Sequence, residues 1–199
     1  MTTKIVVRKL ELTMPLSEQI KKCEHFAENC SITNADEYSK RNQFNIDKIK
    51  KDIYYGKIAE FSVFNYLISM GKKPTPPDLN IYDKHDKTFS ADMITGTNMI
   101  HVKSCLTKTS WANSWVFQPN DKLTISPSND DYLTLCVINI NFIYAYLLKA
   151  LSVLNLYKPA IKKELNKKVI YEQDIKQILL KQSHPTVNTI CTNNMDEYI

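Results

Sequence analysis

The stretch FSADMITGTNMIHVKS, residues 89–104, carries the strongest fold signal in this sequence of 199 residues. Two runs rich in apolar side chains flank Gly96-Thr97, and glycine at the first of two turn positions is typical of a type II′ β-hairpin. In the register that this turn sets, Asp92 faces His101, and facing residues point to the same side of a hairpin. The stretch therefore predicts an antiparallel hairpin with an acid beside an imidazole.

Lys103 lies two residues beyond His101 and is therefore expected on the same face of the strand. That face presents a carboxylate, an imidazole and an ammonium, while the other face is apolar and suited to a core. Asp92 can hold a hard divalent cation, His101 can complete its coordination or accept a proton, and Lys103 can orient water or offset charge on a phosphorane. A solvent-facing polar edge is the alternative that this pattern leaves open.

Apolar runs elsewhere predict further strands and a last helix. YLTLCVI, residues 132–138, predicts a buried central strand. NFIYAYLLKA, residues 141–150, fits a strand or a helix, and we favour a strand paired with the preceding run. KKVIYEQDIKQILLK, residues 167–181, predicts a short strand followed by a helix, and LNIY, residues 79–82, predicts another strand.

The N-terminal part predicts helices. SEQIKKCEHFAENC, residues 17–30, follows a Pro15 start. Asp47 is predicted to cap a longer helix that runs to about Met70, where Gly71 and three prolines beyond it end the pattern. This layout of helices, mixed sheet and helix is typical of an α/β (α+β) fold.

One domain is expected over residues 1–199, since a chain of this length can bury one substantial core. Within it we predict a helical N-terminal extension at 1–45, a catalytic core at 46–140 and a C-terminal part of the same domain at 141–199. The composition, 43% hydrophobic and 24% charged, is globular and excludes a disordered, collagenous or coiled-coil chain.

Glu60 lies on the apolar stripe of the longer helix, eleven residues after Ile49 and seven after Ile53. A buried carboxylate needs a partner, a metal or water, because burying it alone costs several kcal/mol, about 2 to 7 for an uncompensated polar group. A structural salt bridge explains this position as well as a functional site does.

In their order along the chain, these residues resemble the PD-(D/E)XK nuclease superfamily, in particular its type II restriction-endonuclease-like members. Members of this superfamily carry a helical Glu, then an Asp, then a strand that reads acid-X-Lys. The matching segments are GKIAEFSVFNYL with Glu60, PPDLNIY with Asp78, FSADMI with Asp92, and IHVKS with His101, Val102 and Lys103. The resemblance covers roughly two thirds of the chain, and each motif is short.

The resemblance implies a restriction-endonuclease-like core, a central mixed β-sheet flanked by helices, and a metal-dependent endodeoxyribonuclease that hydrolyses phosphodiester bonds of duplex DNA with Mg²⁺ or Mn²⁺. It implies a metal site of Asp92, Glu60, the Val102 carbonyl and His101, with Lys103 activating the attacking water. Asp78 is a second candidate for the acid, and we prefer Asp92 because it belongs to the hairpin.

His101 departs from the family pattern, which has an acid there. A neutral imidazole brings no negative charge and binds Mg²⁺ less readily than a carboxylate does. His101 therefore leaves open a nuclease-fold DNA-binding subunit without catalysis. A structure-selective nuclease that cuts junctions or flaps is a further alternative, which shares the core and differs only in substrate. Retention of Lys103 favours an active enzyme.

Basic and aromatic residues interleave after the hairpin, a pattern that suits contacts with phosphates and bases. Ser104, Lys108 and Gln118 are the predicted DNA contacts, although Trp111 and Trp115 fit packing against the sheet equally well. The formal charge of +5 allows a polyanionic partner without requiring one. Cutting both strands usually needs two active sites, so a homodimer is expected.

The remaining features bear on location. Since no run of about 18 apolar residues is present, no membrane partner is expected. The first residues lack the pattern of a signal peptide, so a cytoplasmic location is expected. Five cysteines without a CxxC pair predict neither a zinc site nor a disulfide framework.

Overall fold

A five-stranded mixed sheet forms the centre of the computed structural model, which describes residues 5–33, 38–39, 43–82, 91–107, 113–161 and 166–183. Along the chain the elements are β1 (Val7–Leu12), α1 (Ser17–Thr33), α2 (Ile46–Ser69), β2 (Met93–Thr95), β3 (Asn98–Leu106), β4 (Ser114–Phe117), α3 (Lys122–Ile125), β5 (Asp131–Ile138), β6 (Ile143–Lys149), a 3-10 helix (Ala150–Leu156), β7 (Lys158–Pro159), β8 (Lys168–Tyr171) and α4 (Glu172–Ser183). Helices flank the sheet, and the predicted α+β class is confirmed. None of the described helices is both long and apolar enough to cross a membrane.

The strand order of the main sheet is β1-β6-β5-β3-β2, with β3 parallel to β5 and the other neighbouring pairs antiparallel. Every residue of β5 is buried, as expected for a central strand that is covered on both faces. The strands predicted at 132–138 and 141–150 are confirmed, and so are the strand and helix predicted at 167–181. A smaller sheet has the order β4-β8-β7.

Alternation along β3 and β5 divides the interior into two cores, one on each face of the main sheet. The first core lies under α1 and α2 and includes Ile100 and Val102. The second core lies on the opposite face, against β4, β8 and α4, and includes Leu133, Leu135 and Trp115. Neighbouring residues of one strand therefore belong to different cores.

Trp115 packs against the sheet, as one interpretation of the sequence expected. Its indole Nε1–H donates to the carbonyl oxygen of Cys136 at 2.9 Å, and the ring is buried. Trp111 lies outside the described residues. Cys136 and Cys23 are both buried in the first core, where burial raises the pKa of the Cys23 thiol to about 12.

Helix α2 begins at Ile46, two residues before the start that an Asp47 cap predicts. The side chain of Asn45, rather than Asp47, caps it by accepting from the backbone N–H of Lys48 at 2.8 Å. The helix ends before Gly71, whose φ of +74° is the left-handed conformation that glycine adopts without strain.

The β2–β3 hairpin has the predicted register. Met93 pairs with Ile100 and Thr95 with Asn98 across a turn in which Gly96 has a φ of +60°. Strand β2 begins only at Met93, however, so Asp92 lies outside the ladder.

Two local predictions were wrong. The segment at 1–45 is not only helical, because β1 pairs with β6 in the main sheet and buries Val7, Leu10 and Leu12. Residues 79–82 form no strand. The Asp78 carboxylate accepts from the backbone N–H of Asn80 at 2.9 Å, a turn that leaves Ile81 exposed.

Glu172 joins α4 to the main sheet. Its Oε1 accepts from the hydroxyls of Tyr144 and Tyr146 at 2.7 and 2.6 Å, and its Oε2 accepts from the Asn113 amide at 3.0 Å. Burial by itself would raise the pKa of Glu172, but the hydrogen bonds from the two tyrosines and from Lys176 lower it. The buried carboxylate is therefore held in its ionised form.

Tyr146→Phe should lower the free energy of unfolding by about 1.5 to 3 kcal/mol, because a buried charge-assisted hydrogen bond is lost without a change of shape. Urea denaturation measures the loss. Tyr82→Phe is the matched control, since the Tyr82 hydroxyl is exposed and takes only a long contact of 3.4 Å from Asn80. Equal stability of the two variants would contradict the role given to Glu172.

Candidate active site

Glu60 is a buried carboxylate on α2, with 8% of its surface exposed, as its place on the apolar stripe predicts. The Nζ of Lys57 lies 2.7 Å from its Oε2, and the side chains of this pair are only 15% and 11% exposed. Residues three apart share one face of a helix, so α2 itself brings the two groups together.

Two further carboxylates, Asp92 and Asp78, lie near Glu60. The pKa of Glu60 is raised to about 7. Burial is the largest cause, the negative charges of Asp92 and Asp78 act in the same direction, and the charge of Lys57 opposes them. We call Glu60, Asp78, Asp92 and Lys57 the acidic cluster. Its three acids come from a helix, a loop and the start of the hairpin.

The carboxylate of Asp92 is fixed by the backbone of β3. Its Oδ2 accepts from the N–H of Val102 at 2.7 Å, just before the point at which β2 begins. The side chain thus replaces a strand partner for that N–H group. This bond holds an acid at the edge of the first core.

His101 points to the other face of the sheet. Its Nε2 lies 2.9 Å from Oδ1 of Asp131, which is fully buried and also accepts from the N–H of Ser128 at 2.6 Å. Burial of Asp131 would raise its pKa, but the hydrogen bonds from His101 and Ser128 lower it. His101 therefore serves as the partner of a buried acid at the start of β5.

Lys103 lies on the same face as His101. Its Nζ is 3.7 Å from Oδ2 of Asp121 and 5.6 Å from the centre of the Phe117 ring in the second core. The prediction that Asp92, His101 and Lys103 share one face was wrong. Because β2 begins only at Met93, Asp92 lies just before the strand, where its carboxylate accepts from a backbone N–H and lies near Glu60. Strand alternation directs His101 and Lys103 to the other face.

The acidic cluster offers fewer metal ligands than the site that the sequence suggested. Within the described ranges, no group of three or more His, Cys, Asp or Glu residues is arranged to hold a metal ion. Carboxylates are nevertheless the donors that Mg²⁺ prefers, and Mg²⁺ often takes only one or two of them and keeps several waters. Glu60 and Asp92 fit such a site, whereas His101 is bound to Asp131 and does not.

The predicted DNA contacts are placed as follows. Ser104 is half-buried on β3, in register with Cys136. The side-chain oxygen of Gln118 accepts from the Nζ of Lys167. Lys108 lies outside the described residues.

Sequence reasoning missed Lys57 and Asp131. The spacing of Lys57 and Glu60 on a predicted helix could have revealed the first, because i,i+3 neighbours face one another. The contact of Asp131 with His101 had no local signal, since the two residues are 30 positions apart in the chain.

Comparisons of the chain with family models, with curated proteins and with solved structures find no match. The resemblance to PD-(D/E)XK nucleases therefore stays a prediction from short motifs.

Stability should depend on pH through Glu60. An unfolded Glu ionises near pH 4.5, whereas the folded group ionises at about 7, so the fold disfavours the ionised form. Below both pKa values Glu60 is protonated in both states and its ionisation costs the fold no stability. The loss of stability grows as the pH rises toward about 7 and is constant above it. Relative to Glu60→Gln, the chain in chelator should lose on the order of 2 to 3 kcal/mol between about pH 5 and 8.

Urea denaturation at several pH values, applied to both proteins, measures this difference. If the free energies of unfolding of the parent and of Glu60→Gln changed with pH in parallel, Glu60 would ionise as an exposed carboxylate does and the prediction would be wrong. Asp52→Asn is the matched control, because this acid lies on the same helix and is exposed in its pair with Lys48.

Proposed function

We propose that this chain is a metal-dependent endodeoxyribonuclease that hydrolyses phosphodiester bonds of duplex DNA, with the acidic cluster as its active site. The observation that carries the proposal is Glu60, a buried acid with two acids near it and a raised pKa. Groups with strongly perturbed pKa values concentrate at functional sites. The motif order and the mixed sheet add support.

Charge balance favours a divalent cation. When all are ionised, the three carboxylates of the cluster face the single ammonium of Lys57, which leaves two negative charges in excess. Protonation of Glu60 removes one of them, and a bound Mg²⁺ or Mn²⁺ would balance both. A cation therefore suits the cluster at neutral pH.

Glu60 and Asp92 would hold the cation. When bound, it would polarise a phosphate oxygen and lower the pKa of a water. Asp92 is oriented for this by the Val102 N–H, and a carboxylate that accepts one hydrogen bond still has acceptor capacity. The carbonyl of Val102 remains the backbone ligand that the resemblance implies.

The reaction proposed is hydrolysis. The oxygen of water forms a new bond to phosphorus, the bond from phosphorus to one sugar oxygen breaks, the attacking water loses a proton to solvent, and the leaving oxygen takes a proton from solvent. Glu60 and Asp92 exclude other anions from the site by their charge until a cation is present. Cutting both strands of a duplex would use a homodimer with one site in each copy.

A second candidate is a DNA-binding subunit without catalysis. His101 and Lys103 favour it, because both are engaged with buried or half-buried acids on the face opposite Glu60. In that case the contact of His101 with Asp131 attaches β3 to the start of β5, the contact of Lys103 with Asp121 attaches β3 to the connection before β5, and the acidic cluster is structural.

Plasmid cleavage tests the proposal. With Mg²⁺ or Mn²⁺, the parent should cut unmodified or base-modified plasmids, and Asp92→Asn and Glu60→Gln should lose at least about 100-fold in rate, because each removes a charge that holds the cation. Asp52→Asn should cut like the parent. Linear duplex, junction and flap substrates, compared side by side, define the substrate.

Thermal unfolding gives a readout that does not require cleavage. A saturating divalent cation should stabilise the parent at about pH 8, by roughly 2.7 kcal/mol at a hundredfold excess over its Kd, and should stabilise Glu60→Gln much less. A parent that neither cuts nor gains stability would exclude the nuclease. Salt-sensitive DNA binding in that case would favour the second candidate.

A further inference from the structure

Lys57 is the ammonium group of the acidic cluster. Its Nζ contacts Oε2 of Glu60, whereas Lys103, the lysine that the motif assigns, lies on the opposite face of β3 beside Asp121. Of these two lysines, the one in contact with the proposed reaction centre is therefore on helix α2.

Comparison with other lysines of α2 shows that the Lys57–Glu60 pair differs in its burial. Lys48 contacts Asp52 at 2.8 Å and Lys50 contacts Glu28 at 3.0 Å, but both of those pairs are largely exposed. Exposed pairs contribute little to stability, about 0 to 1 kcal/mol. The Lys57 pair is mostly buried, and a buried ammonium carries a desolvation cost that needs compensation.

Helix α1 helps to hold the Lys57 ammonium in place. The Nζ lies 5.0 Å from the centre of the Phe26 ring, within the range of a cation–π contact. Phe26 from one helix and Glu60 from the other thus restrict a side chain that is flexible when exposed. A fixed ammonium can contact an incoming anion with little loss of conformational freedom.

We propose that Lys57 is a catalytic residue whose ammonium contacts the scissile phosphate of DNA and offsets the negative charge that grows on its oxygens as water adds. This inference rests on the proposed function. Once a divalent cation balances the two excess carboxylate charges, Glu60 no longer depends on Lys57 for neutralisation, and its positive charge is available to the phosphate. The role needs a permanent charge and no proton transfer.

The test uses the full chain and five proteins: the parent, Lys57→Met, Lys57→Arg, Lys103→Met and the control Lys48→Met. Circular dichroism and thermal unfolding check the fold, and Lys57→Gln replaces Lys57→Met if that variant does not fold. Calorimetry measures the affinity for Mn²⁺ alone. Single-turnover cleavage of plasmid DNA at saturating Mn²⁺ measures the chemical step.

Lys57→Met should bind Mn²⁺ and lose about 100-fold or more in cleavage rate, the loss typical when one preorganised charge donor is removed. Lys57→Arg should recover part of the rate because it keeps the charge, and Lys48→Met should match the parent. A purely structural lysine would lower stability without this separation between metal binding and rate.

The inference is overturned if Lys57→Met cuts within about threefold of the parent. Loss of cleavage in Lys103→Met alone would also overturn it and would assign the contact with the phosphate to Lys103. A parent that binds no Mn²⁺ and cuts no substrate would instead contradict the proposed function, and this inference would fall with it. Mn²⁺ binding by the parent therefore separates the two failures.

Discussion

The parallel ladder between β3 and β5 is the contact on which the rest of the structure depends. It runs through the centre of the main sheet, and α1, α2, β4, β8 and α4 pack on the side chains that it presents to the two faces. Because successive residues of a strand point in opposite directions, Val102 lies under α2 while His101 and Lys103 face the second core. Residues that are adjacent in the sequence therefore take part in separate clusters.

Three buried carboxylates differ in how the cost of their burial is compensated. Glu172 is compensated by two tyrosine hydroxyls and Asp131 by an imidazole and a backbone N–H, and in both the net effect is a lowered pKa. At Glu60 the same desolvation is met by one lysine and opposed by two nearby acids, so its pKa is raised. The first two acids are compensated by hydrogen bonds within the fold, whereas Glu60 changes its protonation near neutral pH.

Local features were predictable from the sequence, and features that depend on distant segments were not. The hairpin register followed from a two-residue turn, and the burial of Glu60 followed from helical spacing, since both are set within a few residues. The direction of the Asp92 carboxylate depended on where β2 begins, and strand boundaries have weak sequence signals. The contact of His101 with Asp131 and the pairing of β1 with β6 join residues far apart in the chain, which no local pattern encodes.

The two cysteines of the first core make its opening measurable. Cys23 is buried where α1 packs against α2, and Cys136 is buried on the central strand beneath α2. Reagents that label thiols need a solvent-exposed thiolate, so each cysteine reacts only when the structure around it opens. Labelling of Cys23 ahead of Cys136 would report that α1 detaches while the sheet stays intact, and equal rates would report that helices and sheet open as one cooperative unit.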